Sequence, residues 1–385
     1  MTATRVADFG TTIFTEMSAL AERTGAVNLG QGFPDEDGPP ELLEAAQAAI
    51  RAGHNQYAPL AGVPALRSAI AEHQARWYGM EVDPDDGVQV TFGATEAIAA
   101  ALLSLVEPGD EVLVIDPAYD SYAAAVGFAG GVARTVTLRP PSFALCEDEL
   151  RAAIGPRTRV LLLNSPHNPT GKVFSRPELA LLARVCLEFD LVAVCDEVYE
   201  HLVYEGEHVP LATMDGMRDR TLTISSLGKT FSCTGWKVGW ACGPAELVAG
   251  VRAAKQYLTF AGGTPFQHAG AVALGLPDEW FAAFADGMRA RRDRLCAGLS
   301  AAGLRVLVPA GTYFANVLLA DDEDGVAFCR SLPSVAGVVA IPTGVFYTAE
   351  PAAGRSLVRF TFCKRAEVLD EGVRRLAAGL GAVRR

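Results

Sequence analysis

Aliphatic and β-branched residues gather in short runs along the first two-thirds of the chain, most of them apolar on both faces. Strands buried on both faces read this way. The runs are Val88–Thr91, Glu111–Ile115, Arg134–Leu138, Arg159–Leu163, Leu191–Cys195, Thr221–Ile224 and Lys237–Ala241. Between them lie stretches of helical period, Pro40–Arg51, Val63–Tyr78, Thr95–Val106, Pro177–Phe189 and Pro244–Tyr257. Pro177 follows Ser175 and Arg176, in the first turn, where a missing N–H costs nothing. Strand and helix alternating in this order predict an α/β fold, a largely parallel sheet covered by helices.

The pattern changes after a long basic helix expected over Ala283–Ala302. Strands then follow at Arg305–Val308, Tyr313–Leu319, Val338–Ile341 and Leu357–Phe362, with a closing helix, as in a smaller α+β domain. No repeat and no low-complexity linker separates the two parts, so close packing is expected.

Composition narrows the partners. The chain has 385 residues and 40.6 kDa, and 33 basic against 45 acidic side chains leave a net charge of −12. Without a run of Lys or Arg, the footprint of a nucleic-acid or anionic-membrane binder is missing, and small molecules become the expected ligands. Half the residues are hydrophobic, yet no window approaches the ~18 uninterrupted apolar residues of a membrane span. The first residues, Met1 to Asp8, lack the apolar stretch of a signal peptide. The eight cysteines form no C-x-x-C pair and read as buried free thiols in a reducing compartment, the cytoplasm.

The commonest alternatives for a parallel sheet fail on their motifs. Gly30-Gln-Gly32 continues as Phe-Pro-Asp, so the dinucleotide fingerprint lacks its third glycine. Gly228-Lys229-Thr230 ends like a phosphate-binding P-loop, but Thr223 stands where that loop needs its first glycine. No two histidines are spaced as in a zinc-binding H-E-x-x-H helix, and no metal is expected.

Four segments carry chemistry instead. Gly93-Ala94-Thr95-Glu96 follows a strand and opens a helix, where free N–H groups and the helix dipole suit a phosphate, although such a turn is often plain geometry. Asn164-Ser-Pro-His167-Asn168-Pro169-Thr170-Gly171 forms a rigid turn at the carboxyl end of a strand, the edge where open α/β sheets bind ligands. His167 reads as structural. Asp196 tips an apolar strand with Tyr199 three residues on; a carboxylate there requires a cation, whereas Glu197 reads as facing solvent. Lys229 sits in a small-residue loop after Ser225-Ser226, with Lys237 eight residues beyond. Lysine forms Schiff bases with carbonyl compounds when burial or nearby cations lower its pKa; otherwise it is a solvated surface charge.

Taken in order, G-A-T-E-A, N-P-T-G, D-E-V-Y and S-S-x-G-K-T-F with Lys237 beyond closely resemble the class I/II aminotransferases of fold type I, which carry pyridoxal 5′-phosphate. The similarity runs from Asn28-Leu-Gly-Gln-Gly-Phe-Pro-Asp35 to Leu357-Val-Arg359-Phe-Thr-Phe-Cys-Lys364. Within that group the chain looks most like the kynurenine, glutamine and methionine aminotransferase branch and the actinobacterial N-succinyldiaminopimelate aminotransferases.

The resemblance implies a large cofactor-binding domain over 41–285 with a mainly parallel seven-stranded sheet. Residues 1–40 form an arm and part of a small domain completed by 286–385. It implies Lys229 as cofactor anchor and base, Asp196 on the pyridine nitrogen, and Tyr199 and Asn168 on the ring's phenolic oxygen. Ser226, Lys237 and the N–H groups of Gly93, Ala94 and Thr95 would hold the phosphate, and Tyr119 would stack on the ring. Arg359 would grip the substrate α-carboxylate, with Asn168, Gly32 and Phe14 lining the substrate pocket. Tyr57 would reach the phosphate of a neighbouring subunit, which makes the protein a homodimer. Gly262-Gly263 stand where kynurenine-type members usually place an aromatic residue and a histidine, which implies a roomier pocket.

An aminotransferase exchanging an amino group between an L-amino acid and a 2-oxo acid is therefore expected, with N-succinyl-LL-2,6-diaminopimelate, kynurenine, glutamine and methionine as candidate donors. A carbon–sulfur β-lyase on the same fold, and a non-catalytic ligand-sensing regulator, are the alternatives. Such regulators generally append a DNA-binding domain, for which the N-terminal segment offers no space.

Overall fold

The computed structural model describes residues 6, 10 and 12–383. Most of the segment read for a leader lies outside them, as do part of the expected arm and residues 384–385. Among the described residues no helix is long and apolar enough to cross a membrane.

Among the described residues thirteen strands follow in chain order: β1 (Val27–Asn28), β2 (Val88–Thr91), β3 (Glu111–Asp116), β4 (Val132–Thr137), β5 (Thr158–Asn164), β6 (Val192–Asp196), β7 (Thr221–Ser226), β8 (Gly239–Cys242), β9 (Arg305–Leu307), β10 (Phe314–Leu318), β11 (Val338–Val339), β12 (Ile341–Pro342) and β13 (Leu357–Thr361). Seven form one sheet in the order β2-β8-β7-β6-β5-β3-β4. Its pairings are parallel except at β8, which runs antiparallel to both β2 and β7.

Alternate side chains of each central strand leave on opposite faces, which explains the unbroken apolar runs. Val160 and Leu162 pack with helices Gly93–Leu105 and Ala245–Gln256, while Leu161 and Leu163 pack with helix Arg176–Glu188. Ser175 caps that last helix, its hydroxyl paired with the Glu178 backbone and Glu178 reaching back.

A four-stranded antiparallel sheet, β12-β13-β10-β9, forms the core of the second part with helices Ile13–Thr24, Asp278–Ala301, Gly325–Ala336 and Ala366–Val383. That core takes in Val198, Tyr199 and Leu202, so the parts pack closely, as expected. Helix Asp278–Ala301 runs through the 285/286 division.

Three strand expectations need correction. The expected β8 begins too early, because Lys237 has φ +56° and Lys237-Val238 still belong to the preceding turn. Val338–Ile341 is not one strand: Val338–Val339 pairs with β1, and Ile341–Pro342 joins β13. β4 starts at Val132, two residues early, drawn in by its ladder to β3. Seven cysteines are buried, but Cys146 is exposed.

Candidate active site

The parallel register aligns the carboxyl ends of the central strands. Asn164 of β5 lies opposite Asp196 of β6, and Asp196 opposite Ile224 of β7. Above this edge lies a cavity of about 370 Å3, closed on the other side by Phe14, Gly32, Phe314 and Arg359. Sheet ends are where such folds collect ligands.

Asp196 is 5% exposed and forms no ion pair among the described residues. Its carboxylate accepts from Tyr122 Oη at 2.6 Å and from the Val198 N–H at 3.3 Å. Burial pushes its pKa up, against the pull of those donors and of the Lys229 charge. A buried carboxylate held only by neutral donors is electrostatically incomplete, and a cationic ligand atom completes it.

The turn after β5 is tied to the same edge. The Asn164 amide donates to the Asp196 carbonyl at 2.8 Å, and its Oδ1 accepts the Asn168 N–H at 2.7 Å. Asn168 Oδ1 in turn accepts from the Arg359 guanidinium at 2.8 Å. Arg359 is fully buried in the middle of β13, paired opposite Asn316 and Ile341, with its Cζ 3.9 Å from the Phe314 ring centroid and 5.3 Å from that of Phe14. Burial lowers its pKa to about 10. Its Nε, buried and unpartnered, leaves donor capacity for an anion.

Lys229 lies in the single helical turn Leu227–Thr230 that follows β7, and its Nζ donates to Tyr313 Oη at 2.8 Å. Burial lowers its pKa to about 8, with Arg359 and Lys237 pressing the same way and Asp196 opposing. Such an amine holds far more of its neutral, nucleophilic form near neutral pH than an ordinary lysine does. Tyr199, buried, stands edge-on to Tyr313 with centroids 5.2 Å apart, and burial raises its pKa.

The helix Gly93–Leu105 points its N-terminus into the cavity with no side-chain cap. Gly93 has φ +75°, and a Cβ there would lie 3.2 Å from Lys237 Nζ. A Cβ on Gly239 would come within 2.5 Å of the Gly93 carbonyl carbon, so β8 and the helix start touch backbone to backbone. Uncapped N–H groups, an ammonium and the Ser226 hydroxyl thus converge on one corner, a ready anion site.

Of the residues expected from sequence, Phe14, Gly32, Gly93, Ala94, Thr95, Tyr119, Asn168, Asp196, Tyr199, Ser226, Lys229, Lys237 and Arg359 all line this one cavity. Tyr57 does not. It is 80% exposed, edge-on to Phe260 on the surface. Gly262 and Gly263 also lie outside the lining: Gly262 packs against the Phe92 ring, and Gly263, φ +62°, precedes helix Thr264–Leu274.

Sequence reasoning missed Tyr122 and Tyr313, whose partners lie 74 and 84 residues away. It also misplaced Glu197, which is buried and 2.9 Å from His208 Nε2. At Ser225 of β7 a further, mostly buried group gathers Tyr78, Glu200, His73 and the half-buried His201. Its two imidazole Nε2 atoms are 2.7 Å apart, a hydrogen bond and closer than the ~3.3 Å of two nitrogens on one tetrahedral zinc.

The family model for aminotransferases of class I and II matches residues 24–376. A probable N-succinyldiaminopimelate aminotransferase of Mycobacterium tuberculosis is 56% identical, over 98% of each chain. The solved structure of N-succinyldiaminopimelate aminotransferase from that organism superposes with a TM-score of 0.95, covering 98% of this chain and 100% of the other. The methionine aminotransferase of Escherichia coli is 42% identical over 97% of each chain. The chain belongs to the class I and II aminotransferases and is a pyridoxal-phosphate-dependent transaminase of fold type I, working on an amino acid and a 2-oxo acid.

Proposed function

We propose that the amino donor is N-succinyl-LL-2,6-diaminopimelate, and that Lys229, Asp196, Tyr199, Asn168 and Arg359 carry its transamination. Support for the donor comes from the mycobacterial relative, 56% identical end to end. Support for the residues comes from one observation: a buried carboxylate without a cation, a buried amine of lowered pKa and a buried guanidinium with an unpartnered Nε face one cavity.

That donor set fits pyridoxal phosphate. Asp196 offers the charge that a protonated pyridine nitrogen requires, and the uncapped helix end with Lys237 and Ser226 suits the phosphate. When bound, the cofactor's ring supplies a sink for the electron pair left at the substrate's α-carbon.

The chain's own residues do the rest. Lys229 Nζ would hold the cofactor through its aldehyde carbon and, once freed by a substrate amine, would serve as the base that carries the proton to and from the substrate's Cα. Asp196 would keep the pyridine nitrogen protonated. Tyr199 and Asn168 would donate toward the phenolic oxygen, Tyr119 would cover the ring face, and Arg359 would fix the α-carboxylate with Asn168 beside it. Phe14 and Gly32 shape the substrate side of the pocket.

We further propose a homodimer in the cytoplasm, divided as 1–40 with 286–385 around 41–285. Tyr57, Tyr257, Leu258 and Phe260 present an exposed apolar group, which a second copy would cover while taking Tyr57 toward its phosphate. Seven buried free thiols suit a reducing compartment.

The test is a donor panel of N-succinyl-diaminopimelate, kynurenine, glutamine and methionine against 2-oxoglutarate and pyruvate. The succinylated donor is expected to give the highest kcat/KM. A higher value for methionine or kynurenine overturns the donor assignment, and release of ammonia with pyruvate in place of a cofactor amine form would mark a lyase.

A further inference from the structure

The lysine amine has a partner that no cofactor contact accounts for. Tyr313 is fully buried just before β10, and its hydroxyl donates to the Gly32 carbonyl at 2.6 Å. With that proton committed, the oxygen's lone pairs face Lys229 Nζ at 2.8 Å. Lys229 Nζ also lies 5.3 Å from the Tyr313 ring centroid, and Tyr199 packs edge-on against the same ring. Gly32 fits flat here: a Cβ would come 2.3 Å from Phe314 and 2.9 Å from Tyr313.

Resting on the reading of Lys229 as anchor and base, we propose that Tyr313 is a positioning residue for that amine. Whenever Nζ is free of the cofactor, Tyr313 Oη accepts a hydrogen bond from it and fixes rotation about Cε–Nζ, so that the nitrogen lone pair faces the cavity. The same hydroxyl ties the lysine to the segment Gln31–Phe33, which lines the cavity. The other titratable groups facing Nζ are Asp196 at the end of β6, Tyr199, Cys363 after β13, Arg359 on β13 and Lys237 before β8. None of them is hydrogen-bonded to the amine among the described residues.

The phenol oxygen accepts, so it stabilises the ammonium form. Removing it lowers the amine's pKa further and loosens its aim. The experiment compares wild type with Tyr313→Phe as full chains stripped of cofactor, following capture of pyridoxal phosphate by its visible absorbance from pH 6 to 10. Wild-type capture is expected to rise with an apparent pKa near 8. In Y313F that pKa falls by about one unit and the high-pH plateau by about ten-fold. Affinity for pyridoxamine phosphate, which forms no bond with lysine, stays within about two-fold. Tyr313→Leu, smaller and also lacking an acceptor, replaces Y313F if the latter does not fold.

A wild-type pKa and plateau in either variant overturn the proposal. Equal weakening of pyridoxal and pyridoxamine phosphate does so too, because Tyr313 would then only shape the cavity. Lys229→Ala separates this from the underlying reading: borohydride-stable cofactor in K229A defeats the anchor itself, whatever Tyr313 does.

Discussion

Arg359 donates to Asn168 Oδ1 at 2.8 Å, joining the middle of β13 to the turn after β5 across 191 residues of sequence. One hydrogen bond thus links the two parts of the fold at the cavity wall, and it presets the guanidinium before any carboxylate arrives. An ammonium lacks the planar fork, so Arg359→Lys is expected to lower kcat/KM for the amino donor ~100- to 1,000-fold. Initial rates across donor concentration measure it, and cofactor affinity should be unchanged.

Asp196 gives a prediction of opposite sign in the two states of the protein. Burial raises its folded-state pKa, so the group's contribution to stability is greatest at acid pH and is lost as pH rises from ~3.9 through the raised value. At pH 7 Asp196→Asn removes a buried unpaired charge, and the cofactor-free variant should melt no lower than cofactor-free wild type. The cofactor-loaded variant should lose most of the stabilisation that loading gives wild type, with kcat down at least ~1,000-fold. Paired thermal melts and steady-state rates decide both halves.

The corner formed by Gly93 and Gly239 tolerates no side chain. A Cβ on Gly239 would lie 2.7 Å from the Ala94 nitrogen, against backbone that cannot swing aside. Overpacking costs ~1–3 kcal/mol, and the helix start must move away from Lys237. Gly239→Ala is expected to raise the dissociation constant for pyridoxal phosphate at least ~10-fold through loss of phosphate contacts. Equilibrium titration of the stripped protein reads it.

Tyr57 carries the dimer proposal. Although 80% exposed and remote from its own subunit's cavity lining, Tyr57→Phe should weaken cofactor binding ~10-fold if its hydroxyl serves the partner. Hybrids of Y57F subunits with K229A subunits sharpen the test. In such a hybrid the intact Lys229 faces the intact Tyr57, so one wild-type site per hybrid is expected; Tyr57 acting within its own subunit would leave none.

Much of this site was legible because its chemistry sits on unusual local patterns. Asp196 tips a wholly apolar strand, Arg359 interrupts another, and Asn168 is boxed by prolines, so each stands out against its neighbours. Tyr122 and Tyr313 carry no such mark; buried tyrosines are ordinary core residues until the fold brings a carboxylate or an amine to their hydroxyls. The fold followed the same rule. Helix Pro40–Arg51 has an amphipathic face, and its limits match those expected from sequence. Helix Thr264–Leu274 is rich in small residues and was not read as a helix at all, because it packs against two neighbouring helices, Pro40–Arg51 and Pro64–Tyr78, without a sharp apolar stripe. Tertiary pairing alone splits Val338–Ile341 between two sheets.

The most direct test treats the protein, saturated with pyridoxal phosphate, with borohydride and maps the cofactor's mass on peptides. The label is expected on Lys229 alone, and to vanish in K229A with no substitute site. A label on Lys237 or Lys364, or none on any lysine, would contradict the assignment of Lys229.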